Sequence, residues 1–169
     1  MKTKNCQSCG AEMHPSVENY NYAECGLDYV TLQNVTVFRC PECGEHVLRI
    51  PAIEGLHRLI AFTVARKPSR LQAHEVKFLR KYLGLSNRDF AKTMGVTPEQ
   101  SSRWTTTEPM GAPAERLLRV LVERLEPARE YPIEWLQNIS EERGDSEPLV
   151  VRSDDAQWAS VHQQPGAAA

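Results

Sequence analysis

Two short runs, Cys6-Gln7-Ser8-Cys9-Gly10 and Cys40-Pro41-Glu42-Cys43-Gly44, restrict this chain more than any other feature. In a Cys-x-x-Cys turn two thiolates converge on one point, and the glycine behind the second cysteine permits the left-handed backbone such a turn needs. Two turns offer four soft ligands. That set suits one structural, tetrahedral zinc ion and leaves no open position for a catalytic water. Thirty residues separate Cys9 from Cys40, a longer gap than the common spacing, with room for a hairpin or two. His14 and His46 lie nearby, but four thiolates already close the site. Cys25 is unpartnered and reads as a packed or exposed thiol rather than a fifth ligand.

Other uses of these cysteines fit less well. Two disulfides would call for an oxidising compartment, and Met1-Lys2-Thr3-Lys4-Asn5 lacks the apolar run of a secretory leader. A thioredoxin-like redox site would need one pair in a strand–helix context, not two glycine-terminated pairs. A first domain of about fifty residues buries too little surface to fold alone, so a bound ion supplies the missing stabilisation. The β-branched and aromatic density of Asp28 to Arg39 predicts a strand or hairpin running into the second knuckle. Asn19-Tyr20-Asn21-Tyr22 reads as part of an earlier strand.

The net charge of −2 conceals a strong asymmetry. Residues 1–55 carry four Lys/Arg and seven Asp/Glu, residues 56–92 nine and two, and residues 93–169 seven and thirteen. A basic middle between acidic flanks suggests a local phosphate-binding surface. No apolar stretch approaches a membrane span. A soluble, cytoplasmic protein is expected.

Beyond Pro51 the periodicity becomes helical. Ile53 to Val64 reads as a connecting helix with Leu56, Leu59, Ile60 and Val64 on one side, and Lys67-Pro68-Ser69 as a break. Gln72 to Leu83 is amphipathic through Val76, Leu79 and Leu83. Ser86 is a good N-cap for a short helix over 87–94, with Asp89 completing an imperfect capping box. Gly95-Val96 makes a turn, Thr97 caps the next helix, and Pro98 stands at its first position, where a missing N–H costs nothing. Ala114 to Leu125 places Leu117, Leu118, Leu121 and Leu125 on an apolar face. Two short helices about a glycine turn, flanked by amphipathic helices, meet the requirements of a helix-turn-helix. Ala91 is small where the pair would cross, and Phe90, Met94, Val96 and Trp104 point to a shared core.

The order knuckle, knuckle, helix-turn-helix resembles the CxxCG-CxxCG-HTH family, which includes the MqsA-type antitoxins. Leu85 to Thr97 is similar to the Xre/Cro type of helix-turn-helix, and the resemblance covers roughly residues 5 to 125. It implies an α+β chain: a small zinc-ribbon-like β domain over 1–53, a connecting segment over 54–70, and an all-α helix-turn-helix domain over 71–126. Metal ligands would be Cys6, Cys9, Cys40 and Cys43. The recognition helix would run from Pro98 to Thr105, with Glu99, Gln100 and Arg103 facing the major groove and Arg103 matching the family's base-reading arginine. Asn87, Thr97 and Ser102 are placed to hold phosphates, and Arg88 and Lys92 to add unspecific attraction.

The same resemblance implies a homodimer on a double-stranded operator palindrome. It also implies autorepression and, in antitoxins, a toxin protein held by the N-terminal domain. Three departures stand out. Ser101 sits where an aliphatic core residue is usual, Glu99 brings a negative charge to the reading face, and Thr105 to Pro109 lacks a common glycine. A stand-alone repressor, and a protein-interaction module whose helix-turn-helix only dimerises, are the competing readings. An enzyme is disfavoured, because the metal site is thiolate-closed and no nucleophile–base–orienter set stands out. Residues 127–169 form an extension in which Ile133, Trp135 and Leu136 make a small apolar cluster. From about 140 onward the acidic sequence reads as a largely disordered, solvated tail, with Leu149-Val150-Val151 and Trp158 as short docking points the competing reading.

Overall fold

The computed structural model describes residues 3–124, 148–154 and 157–160. Among the described residues the chain is mixed α+β, with a sheet begun by the N-terminal strands, then five α-helices, then two further strands. It divides into two compact units. Among the described residues, one holds 3–23, 28–56, 148–154 and 157–160, and the other holds 24–27 and 57–124.

The first unit is a six-stranded sheet built on one long strand. Its members are β1 (Lys4–Asn5), β2 (Glu12–Asn21), β3 (Val30–Arg39), β4 (His46–Arg49), β5 (Leu149–Asp154) and β6 (Gln157–Ser160). β2 lies antiparallel along one edge of β3, and β1 pairs with the start of β2. The other edge of β3 is shared end to end. β4 pairs antiparallel with Thr36–Arg39, and β5 pairs parallel with Val30–Gln33. β6 then closes a hairpin on β5.

The buried residues of β3 explain an irregularity between these halves. Val30 and Leu32 are buried, then Val35 and Val37, so the two-residue alternation slips by one. The ladder to β2 slips at the same place, where the two-residue advance from Glu18 to Tyr20 faces a three-residue advance from Val35 to Leu32 on β3. Asn34 stands there at φ 58°. Asparagine is one of the few residues that enters the left-handed region readily, and an extra residue there restores the apolar set to one face.

At Leu149–Asp154 and Gln157–Ser160, paired strands stand where a solvated tail is expected. Leu149, Val150 and Val151 are buried, and Trp158 Nε1 donates to the Pro51 carbonyl at 2.7 Å. The physical reason is non-local. β3 would otherwise present unpaired N–H and C=O groups along Val30–Gln33, and a short apolar strand satisfies them. The Ile133, Trp135, Leu136 cluster lies outside the described residues.

The helices are α1 (Ile53–Arg66), α2 (Ala73–Tyr82), α3 (Asn87–Met94), α4 (Pro98–Trp104) and α5 (Ala112–Arg124). The division between units falls inside α1, after Leu56. Within the second unit Ile60, Val64, Leu79, Phe90, Leu118 and Val122 are all buried. α5 departs from the expected leucine face. Leu118 is fully buried, but Leu117 is 42% exposed, and the inward side carries Glu115, Arg119 and Glu123. Leu125 lies outside the described residues.

Those inward charges are all matched. Arg119, only 1% exposed, donates to the carbonyls of Ala65, Lys67 and Ser69 at 2.8, 2.6 and 2.7 Å and to Glu115 Oε1 at 2.7 Å. Glu115 also accepts from the Leu71 N–H at 3.0 Å and from Arg70 at 2.6 Å. Arg66 and Glu123 form a two-pronged pair at 2.7 and 2.8 Å. Arg119 therefore receives the free carbonyls where α1 ends, which a leucine could not do.

Candidate metal centre and helical surface

Each knuckle folds as the same tight turn. The Gly10 N–H donates to the Cys6 carbonyl at 2.9 Å and the Cys6 N–H to Ala11 at 2.8 Å; Gly44 to Cys40 and Cys40 to Glu45 repeat the pattern at 3.2 and 2.8 Å. Gly10 and Gly44 take φ of 78° and 74°, which supplies the sharp reversal after the second cysteine. Cys6 and Cys40 are buried against Met13 and Phe38, whereas Cys9 and Cys43 are exposed.

The four sulphur atoms meet, all within 4.8 Å of one another. Cys6 faces Cys43 at 3.6 Å and Cys9 faces Cys40 at 3.4 Å, so each buried thiol opposes an exposed one of the other knuckle. A tetrahedral ion with zinc–sulphur bonds of about 2.3 Å spaces its sulphurs by about 3.8 Å. The donor set and its dimensions therefore fit one metal ion and are compatible with a single zinc. Disulfide bonds, near 2.05 Å, are not what these spacings describe.

The same crowding spreads the thiol acidities. The Ala11 N–H favours the Cys9 thiolate, yet hydrogen bonds shared with Cys40 and Cys43, with a smaller contribution from partial desolvation, push Cys9 up to about 12. Cys40 moves the other way, held down at about 7 chiefly by the Cys43 N–H. Anions this close repel strongly unless a cation sits among them. Cys25 is half-buried, with its thiol pushed up by desolvation and directed at the Leu27 carbonyl at 3.8 Å. His14 and His46 are exposed, and His46 Nε2 lies 3.1 Å from the Tyr20 hydroxyl, outside the sulphur cluster.

α3 and α4 make a second surface. The Ser86 hydroxyl caps α3 by accepting from the Asp89 N–H at 3.1 Å, and Gly95 ends it at φ 67°. The Thr97 hydroxyl caps α4 by accepting from the Gln100 N–H at 3.2 Å, with Pro98 in the first turn. Phe90, Ala91, Ser101 and Trp104 face inward, whereas Met94 and Val96 are half-buried. Ser101 takes an interior place that suits an aliphatic side chain by donating its hydroxyl to Asn87 Oδ1 at 2.8 Å. Asn87 in turn donates to the Pro98 carbonyl at 3.0 Å. Both sides of the Asn87 amide are thus engaged between the two helices.

The other residues singled out in the sequence lie outward. Arg88, Lys92, Thr97, Glu99, Ser102 and Arg103 are exposed, and Gln100 is half-buried. The Glu99 carboxyl is held below its ordinary value by its own N–H first, then by the Thr97 hydroxyl and by Arg103. Arg103 donates to Gln100 Oε1 at 2.8 Å and lies 3.5 Å from Glu108, to which Gln100 Nε2 also donates at 3.4 Å. Glu108 escaped sequence reasoning because it follows the helix, and no periodicity places a loop carboxylate beside Gln100. Comparison with protein-family models, with curated proteins and with solved structures gave no match. Among the described residues no helix is long and apolar enough to cross a membrane.

Proposed function

We propose that this chain is a zinc-stabilised, sequence-specific DNA-binding regulator of transcription. The observation that carries the reading is the α3–Gly95–α4 unit. One side of α4 is locked to α3 through Asn87 and Ser101, with Trp104 buried, while Glu99, Gln100, Ser102 and Arg103 remain on its outer side. A short, rigidly docked helix with a polar, arginine-bearing face is what major-groove readout by a helix-turn-helix uses. Arg103 is the base-reading candidate, with Gln100 beside it on the same face, while Thr97, Ser102, Arg88 and Lys92 are the phosphate-side candidates. Asn87 serves instead as the strut between the helices.

In this reading Cys6, Cys9, Cys40 and Cys43 hold one structural zinc, which closes the β domain and carries out no chemistry. The resemblance to the knuckle–knuckle–helix-turn-helix family supports an antitoxin-like autorepressor. Such a protein binds an operator palindrome as a homodimer and holds a toxin protein through its β domain. The test is a gel-shift titration on the DNA upstream of its own gene, at two salt concentrations, with unrelated duplex as competitor. Specific binding that weakens steeply as salt rises is expected, because phosphate contacts release counterions. Equal competition by unrelated DNA, or no shift at low salt, would overturn the reading.

A further inference from the structure

We infer that Gln100, Arg103 and Glu108 act as one reading unit, in which Glu108 is a positioning residue that commits Arg103 to guanine. The inference rests on the DNA-binding reading and goes beyond it by assigning base class and the part played by a loop carboxylate. The three side chains close a ring. Arg103 Nη2 donates to Gln100 Oε1 at 2.8 Å, Gln100 Nε2 donates to Glu108 Oε2 at 3.4 Å, and Glu108 Oε1 lies 3.5 Å from Arg103 Nη1. The amide has one consistent orientation, since the reverse would set its NH2 group against the guanidinium.

Two consequences follow from the chemistry of that ring. Bidentate recognition of adenine by glutamine needs the amide oxygen and nitrogen together, and here both are engaged by neighbours. Arg103 keeps further N–H donors, and its side chain is 51% exposed. The donors left over suit an acceptor-only base edge, the O6 and N7 of guanine. Glu108 also screens Arg103. With that carboxylate beside it, the guanidinium gains less from a phosphate, and indiscriminate binding is suppressed.

The experiment uses the full-length, zinc-loaded chain. Sites are selected from a random duplex library, and affinities for the selected site and for random DNA are then titrated by fluorescence anisotropy. Wild type should enrich a guanine that Arg103→Ala no longer selects. Glu108→Gln should bind random DNA roughly two- to fivefold more tightly, the scale of an exposed ion pair released. It should also lose roughly fivefold of the guanine preference. Glu108→Asp, which keeps the charge, should return random-DNA affinity toward wild type. A merely structural Glu108 would weaken both affinities together, and that result would overturn the inference, as would an adenine selected at the Arg103-dependent position. Absence of any enrichment or salt-sensitive binding would overturn the DNA-binding reading as well. Circular dichroism of each variant separates these outcomes from misfolding.

Discussion

Arg119 is a guanidinium almost out of reach of water, and at the residue scale it decides how the end of α1 is satisfied. It answers three backbone carbonyls and one carboxylate at once. Arg119→Met keeps the volume but orphans those carbonyls and leaves Glu115 to Arg70 and the Leu71 N–H alone. Removing one member of a buried charged set typically costs about 3–5 kcal/mol, and urea unfolding should show a loss of that order. Gly95 offers a smaller, purely conformational test. An added Cβ there meets nothing within 4 Å, so Gly95→Ala is penalised only for its φ of 67°. The expected cost is about 1–2 kcal/mol, and a melting curve unchanged by the substitution would contradict the turn described.

At the scale of elements, the knuckles and the capped helices were legible for different reasons. A knuckle is local: five residues fix its turn, and the repeated glycine announces it. Caps are local too, which is why Ser86, Thr97 and Pro98 bound α3 and α4 where the sequence placed them. The inward face of α5 was not legible. A leucine-rich helix suggests a leucine face, yet the α1 end and the 67–71 segment need charge from exactly that side. The prediction proper to this scale concerns the metal. Cys40→Ser should abolish stoichiometric zinc, measured by elemental analysis of the purified chain, and retention of one zinc per chain would remove Cys40 from the ligand set. Loading zinc near neutral pH should release protons, since Cys9 is pushed up to about 12 and must surrender its proton to ligate. Zinc retention therefore falls as pH falls. An unbuffered titration showing no acidification would contradict that.

For the whole molecule, the chain's route matters more than any segment. After the helices it returns to lay β5 beside the first half of β3, so Leu149–Asp154 and Gln157–Ser160 complete a sheet begun at residue 4. Val151 is fully buried in that seam. Val151→Asp places a carboxylate there, at an expected cost of ~3 kcal/mol or more. Hydrogen exchange should locate the damage, with protection lost at Val30–Gln33 while amides of α2 to α5 are unaffected. Uniform loss through both units would show that they unfold as one. The charge asymmetry also belongs to this scale. Several of the basic residues counted in the middle of the sequence, among them Arg66, Lys67 and Arg70, are spent on Glu123, Glu75 and Glu115. A one-dimensional charge count cannot distinguish a guanidinium paired inside the fold from one facing solvent.

The sequence by itself settled the features that close over a few residues: two cysteine turns, the strand entering the second, and helices bounded by Ser86, Gly95, Thr97 and Pro98. Their causes are short-range backbone geometry and side-chain chemistry, which a linear reading sees. Tertiary structure alone decided the spacing within the four-sulphur cluster, the pairing of β5 with β3, the charged interior of α5 and the Gln100–Arg103–Glu108 ring. Each joins groups from separate turns, strands or loops through a satisfied backbone edge, a buried charge or a shared hydrogen bond. Such demands arise only once the chain has closed on itself, and no local pattern carries them.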